Sequence, residues 1–286
     1  MTQQTHLDGQ TIYWYDQYCE AHYPNGFKDY TVEAVMRDLD AVDADVYAIY
    51  ATNQWGIAYY PSDILPTYPP LGGRDYFGEV VAALKQRGKR VIAYTNWLDS
   101  RHPEWRWQRL APGGRLLAGE QPEAADEMLR PVPMYNSQGK GTVYELKFGE
   151  WFTHCLNSPR REEMVRVAEE IVSRYPVDAF HLDMAFNSGV CVCPHCRPHL
   201  AELVGSDDIT YEGIMQHWGA YLAWRHERST ALAAELSDVA HAHGLAFAPN
   251  AFCPLYTGPL MAVNPGWWEH VDAYVTEAWL RLAQDH

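Results

Sequence analysis

Short apolar runs alternate with amphipathic stretches along this chain, and the alternation predicts a repeating strand–helix unit. Strands are expected over residues 11–16, 45–50, 89–94, 179–183, 245–249 and 272–276. Between them Val32, Val35, Met36, Leu39 and Val42 recur at helical spacing, and Phe77, Val80, Val81 and Leu84 repeat the pattern before Gly88. Met164, Val167, Ala168, Ile171 and Val172 mark a helix over 160–175, opened by Ser158 as N-cap and Pro159 in the first turn. A short helix within 187–204 and a long one over about 211–243 complete the set.

Strands that alternate with helices form a parallel sheet with right-handed crossovers. No glycine-rich phosphate loop follows any strand, so no organic cofactor is expected and a nucleotide-binding fold is disfavoured. The chain reads as one α/β domain over 1–286, a TIM-type (β/α) barrel. Six barrel strands are legible where a full barrel has eight. Residues 99–151 are too long for a simple βα loop and predict an irregular hairpin excursion. The missing strands either hide in that excursion or are absent; an incomplete barrel, with about six of eight βα units, is the reading adopted.

Composition narrows the partners. The net charge is −15 with no Lys/Arg cluster, which disfavours nucleic acid and anionic membrane surfaces. The polar N-terminus lacks a secretory signal and no apolar run approaches the roughly 20 residues of a membrane span, so a cytoplasmic protein is expected. Six cysteines in such a chain favour reduced thiols or a metal site over disulfides. Eleven Trp and 19 Tyr, many between elements, offer flat faces to sugar rings, and serve equally well in a core. An open barrel leaves sheet edges and apolar surface to cover, which permits a homo-oligomer.

Chemistry in a parallel α/β fold sits at the C-terminal strand ends. The run Val177–Asp178–Ala179–Phe180–His181–Leu182–Asp183 delivers Asp183 to such an end, with His181 one layer below on the same face. Asp183 is therefore a candidate nucleophile or general acid/base; the competing reading is a loop-fixing carboxylate. Glu277 ends the strand at 272–276 in the same way, and Trp279 follows it. Two carboxylates facing across a barrel mouth are what glycoside hydrolysis requires. Asn250, Asn53, Asn96 and Asp16 lie at comparable strand ends, with Trp55 and Trp97 beside them, and these are candidate substrate contacts together with His181. Finally, Cys191-x-Cys193-x-x-Cys196 supplies three soft ligands on one short loop. Structural zinc takes four. The fourth is Cys155, which precedes a helix start near the fourth strand, or one of His195, His199, Cys253 and Cys19.

Several motifs in order carry a family resemblance. Ile57–Ala58–Tyr59–Tyr60–Pro61, His102–Pro103–Glu104–Trp105, Leu156–Asn157–Ser158–Pro159, the run to Asp183 and Cys193–Pro194–His195–Cys196–Arg197 together resemble the barrel family called hypothetical glycosyl hydrolase 6. The resemblance implies a TIM-type barrel related to glycoside hydrolases. The thiol loop is similar to the zinc clip of family 42 β-galactosidases, which implies a structural metal. Similarity to retaining α-galactosidase- and α-fucosidase-like barrels implies Asp183 as nucleophile and, from the former, Glu277 as acid/base. The functional expectation is a retaining glycoside hydrolase acting on a carbohydrate, the alternative being a non-catalytic carbohydrate-binding or scaffold protein on the same barrel.

Overall fold

The computed structural model describes residues 7, 9–17, 31–99, 101–110, 129–133, 142–148, 151–185, 189–250 and 264–275. In chain order the elements are β1 (Ile12–Trp14), α1 (Val32–Asp40), β2 (Val46–Tyr50), α2 (Tyr76–Gln86) and β3 (Arg90–Asn96). The excursion follows, with β4 (Gln108–Leu110), β5 (Leu129–Pro133), β6 (Thr142–Phe148) and β7 (Trp151–Phe152). Then come α3 (Arg160–Arg174), β8 (Ala179–Asp183), β9 (Val190–Cys191), α4 (Arg197–Val204), α5 (Tyr211–Gln216), α6 (Trp218–Ala242) and β10 (Ala246–Phe247).

The helices begin where local chemistry lets them. Thr31 Oγ1 accepts from the Ala34 N–H and an Asp75 carboxylate oxygen from the Gly78 N–H, so α1 and α2 each have a side-chain cap. Helix α3 starts at Arg160, after Pro159, and Ser158 serves the expected capping role: its Oγ accepts from the Arg160 N–H at 3.4 Å while donating to the Cys155 carbonyl at 2.6 Å. The long helix expected over 211–243 is two helices, because the His217 N–H bonds the Ile214 carbonyl three residues back and closes the first of them.

Five strands form a wholly parallel sheet in the order β1-β2-β3-β8-β10. Residues 272–275 extend it, through a parallel bridge between Asn250 and Val275 and a bond from the Asp272 N–H to the Phe247 carbonyl. The excursion strands belong elsewhere. They make a separate antiparallel sheet, β5-β6-β4-β9 with β7 on β6, so they supply no barrel strand. Among the described residues the parallel sheet does not close on itself, and the fold is an open (β/α) barrel.

Strand alternation sorts the side chains into two populations. Ile49, Val91, Ala93, Phe180, Leu182 and Phe247 pack under helices, against Met36, Leu39, Val80, Leu84, Val167, Ile171 and Leu236. The opposite face starts with Val46, Ala48, Ile92 and Ala179, which cluster together. One register step higher come Tyr50, Tyr94 and His181, and higher again Asn96 opposite Asp183. Apolar residues thus fill the base and polar ones collect at the C-terminal end. Beneath that end Arg160, wholly buried on α3, donates to the Asn96 carbonyl at 2.9 Å and pairs with Glu163 at 2.5 Å and Asp99 at 3.2 Å. Burial alone would raise the Asp99 carboxyl, but Arg160 and Arg101 outweigh it and hold the group below its ordinary range. Among the described residues no helix is long and apolar enough to cross a membrane.

Candidate functional site

Asp183 ends β8 at the mouth of the open barrel and is 5% exposed. Its carboxylate is held from three directions. Oδ1 accepts from Asn250 Nδ2 at 2.7 Å and from the Met184 N–H at 2.8 Å, while the Tyr94 hydroxyl donates to Oδ2. Met184 adopts a left-handed φ of 58°, a costly conformation for a side-chain-bearing residue that turns its N–H back onto the carboxylate. Three donors on one carboxylate fix where its lone pairs point.

The groups behind Asp183 form a stacked polar and aromatic layer. Tyr94 lies 3.8 Å, centroid to centroid, from Tyr50 in a near-parallel stack, and Asn96 Nδ2 donates to its hydroxyl at 3.1 Å. On the opposite side Tyr94 stacks on His181, which also meets the edge of Trp14. Burial lowers the His181 imidazolium to about 4, against opposing pulls from Asp183 and the Ala248 carbonyl, so the ring is neutral. Its Nδ1 lies 2.5 Å from the Ala248 carbonyl, which can only accept, so Nδ1 carries the proton. Tyr50 donates to Asp16 Oδ1 at 2.7 Å, and Asp16 itself is exposed.

The residues singled out in the sequence therefore fall into groups. Asp183, Asn250 and Asn96 come together, and Asp16 joins them through Tyr50 and Tyr94. His181 sits one layer down, as alternation requires, and being buried it supports the layer rather than reaching outward. Asn53 is turned to its own loop, its Oδ1 accepting from the Trp55 and Ile57 N–H groups at 3.0 and 3.1 Å. Trp97 does not offer the expected sugar platform: it is fully buried, its Nε1 donates to the His154 carbonyl, and Arg160 lies over its ring. Trp55 is likewise buried and presents no open face. Glu277 and Trp279 lie outside the described residues. The reading of strand ends overlooked Tyr94 and Tyr50, whose signal was their place on the same alternating face as Asn96 and Asp16.

A second constellation lies beside this mouth. Cys155, Cys191, Cys193 and Cys196 are all buried, with their four Sγ atoms within 4.8 Å of one another. Cys155 leaves the antiparallel sheet just before α3, and the other three follow β8 through β9, so the cluster joins two segments far apart in sequence. Tetrahedral zinc with Zn–S bonds of about 2.3 Å needs sulfurs about 3.8 Å apart, and the Cys155–Cys196 separation of 3.3 Å is near that spacing. The donor set fits a structural zinc. Cys253 and Cys19 lie outside the described residues. Burial raises the Cys155 and Cys191 thiols, whereas hydrogen bonds from Cys155, Cys191 and Cys196 lower Cys193 strongly. Asn157 adds donors, from its backbone to Cys155 Sγ and from Nδ2 to Cys196 Sγ, each at 3.3 Å.

Comparison with solved structures places this architecture among glycosidase barrels. The chain is similar to α-L-fucosidase isoenzyme 2 from Paenibacillus thiaminolyticus, with a TM-score of 0.59 and 18% identity over 84% of this chain and 32% of that one. It is also similar to the PgaB (BpsB) glycoside hydrolase domain from Bordetella bronchiseptica, with a TM-score of 0.56 and 12% identity over 93% of this chain and 73% of that one. The chain thus spans about a third of the fucosidase's length. At these identities the likeness establishes the fold. Comparison with curated protein sequences gives no match. Residues 31–184, just over half of the chain and ending on the strand that carries Asp183, match the family described as hypothetical glycosyl hydrolase 6, and the chain belongs to that family.

Proposed function

We propose that this protein is a retaining glycoside hydrolase with Asp183 as its nucleophile and Glu277 as its acid/base. The observation that carries the reading is the clamped carboxylate of Asp183 at a strand end, on a glycosidase-type barrel. An Asp183 oxygen attacks the anomeric carbon as the bond to the leaving oxygen breaks, and Glu277 gives that oxygen a proton. Glu277 then takes a proton from water, which attacks the glycosyl ester and regenerates Asp183.

Sequence position supports the pairing. Val275 bridges to Asn250, which bonds Asp183, and Glu277 follows two residues later in the sequence. Asp16 is the exposed carboxylate suited to sugar hydroxyls. The substrate class is a glycoside or oligosaccharide.

The thiol cluster is assigned a structural zinc held by Cys155, Cys191, Cys193 and Cys196. When bound, the metal supplies four bonds that tie the exit of the antiparallel sheet to the loop after β8. The cysteines themselves take no part in the chemistry at Asp183.

A screen of aryl glycosides tests the assignment, followed by an activated 2-fluoro glycoside of the sugar found. Turnover by the purified chain, abolished in Asp183→Ala, together with a glycosyl adduct mapped to Asp183, is the expected result. An adduct on another residue, or undiminished turnover in the variant, overturns it. The open sheet favours a non-catalytic carbohydrate-binding role as the second reading, and turnover of any aryl glycoside disposes of that one.

A further inference from the structure

Arg225 is an unusual residue to find in a core. It lies on α6, is 3% exposed, and its guanidinium sits over the Trp107 ring at 5.2 Å. Nη1 donates to the Gly189 carbonyl at 3.1 Å, but Nε and Nη2 are buried and have no hydrogen-bond partner. Among the described residues no carboxylate pairs with it. A buried cation without an anion is strongly unfavourable, so the fold must provide negative charge nearby. The geometry points to the thiols: Trp107, on which Arg225 rests, packs in one buried cluster with Tyr221, Cys155, Cys191, Cys193 and Cys196. Burial disfavours the charged guanidinium, and the pulls against it come from Tyr221 and then from Cys191, Cys155 and Cys196.

A second cation approaches the same cluster from the same helix. Arg228 Nε donates to Asn157 Oδ1 at 3.0 Å, and Asn157 in turn donates to Cys155 Sγ and Cys196 Sγ. Tyr221, Arg225 and Arg228 are spaced four and three residues apart, on one face of α6. The Tyr221 hydroxyl completes the frame, accepting from the Cys191 N–H and donating to the same Gly189 carbonyl that Arg225 holds.

We propose that Arg225 and Arg228 are the counter-charges of a dianionic tetrathiolate centre, Arg225 through its field and Arg228 through Asn157. The inference rests on the zinc reading given above. Four thiolates on one divalent ion carry a net charge of −2, and two guanidinium groups match it. The long helix is thereby tuned to a divalent ion held by all four sulfurs, and these arginines are positioning residues of the metal site. An electrically neutral pocket would have no use for a buried guanidinium with two idle donors.

The test is zinc competition against a chromophoric chelator with the full chain and its Arg225→Met, Arg225→Lys and Arg228→Met variants. Arg225→Met is expected to weaken zinc binding about 10- to 100-fold, the range for groups that support metal ligands, and Arg225→Lys to recover part of the loss. Arg228→Met, half-buried and less disruptive, is expected to weaken it by a smaller factor and keeps the test open should Arg225→Met not fold. The melting temperatures of zinc-loaded and chelator-stripped protein separate a charge role from a packing role. A counter-charge narrows the gap between the two forms when removed; a packing residue lowers both and preserves the gap. Wild-type zinc affinity in both Met variants, or an unchanged gap, overturns the proposal. A wild-type chain that takes up no zinc overturns the metal reading itself, and this inference with it.

Discussion

Asn250 donates from Nδ2 to Oδ1 of Asp183 at 2.7 Å, although the two are 67 residues apart in sequence and sit on neighbouring parallel segments of the sheet. The bond is possible because β8 and β10 run in register, Ala246 beside Ala179 and Phe247 beside Phe180, which brings the two strand ends level. Both residues face the barrel mouth, and the Asn250 side chain is directed to holding the carboxylate.

Loss of these donors should leave the sheet intact and slow the reaction. Asn250→Ala and Tyr94→Phe each remove one bond to a charged oxygen, worth about 1.5–3 kcal/mol. Turnover is expected to fall about 10- to 100-fold in each, on whichever aryl glycoside the wild type cleaves. The double variant should lose less than the product of the single effects, because both act on one carboxylate. Steady-state kinetics on the four proteins provides the check, and unaltered kcat in both single variants would show that the clamp is dispensable.

Cysteine substitution should uncouple metal content from secondary structure. Cys196→Ser replaces one of four buried sulfurs, so zinc measured by elemental analysis is expected to drop from one per chain to a small fraction of that. A fall in thermal stability should accompany it, and adding a chelator to the wild type should reproduce that fall. A variant that retains a full equivalent of zinc would mean that Cys196 is not a ligand.

The Arg160 network should be a stability determinant. Arg160→Met leaves Asp99 and Glu163 buried beside a single remaining cation, Arg101, and frees the carbonyls of Asn96 and Leu98. Removing one partner of a buried pair costs about 3–5 kcal/mol. Urea denaturation should show a loss of that order, with Trp97 fluorescence a convenient local probe because Arg160 lies over that ring.

Acid should destabilise the fold through two histidines. His181 and His154 are both lowered to about 4, chiefly by burial, against about 6.5 in the unfolded chain. Between those values the unfolded state binds more protons, so stability rises with pH across the window. Their contribution is complete above about pH 6.5 and is lost as pH falls towards 4. The urea midpoint should decline over that range, and His181→Gln should make the decline shallower. A midpoint that stays flat from pH 6.5 to 4.5 would contradict neutral buried imidazoles.

Local pattern alone determined much of this protein. Alternating apolar positions and capping residues placed five parallel strands and their helices, put Asp183 at a strand end with His181 one layer beneath, and grouped three cysteines on one loop. Cys155 already stood among the candidate fourth ligands, and the fold brings its sulfur, 41 residues from Cys196, within 4.8 Å of the other three. Tertiary structure alone decided that Tyr94, 89 residues from Asp183, is its hydroxyl donor, that Asn53 serves its own loop, that Trp97 belongs to the core, and that Arg225 holds the Gly189 carbonyl and lies over Trp107. The reason is physical. Periodicity records which face of an element is apolar, whereas the partner of a polar side chain depends on strand register and helix docking. Those are set by the whole core at once and leave no mark at the spacing of a single helix or strand.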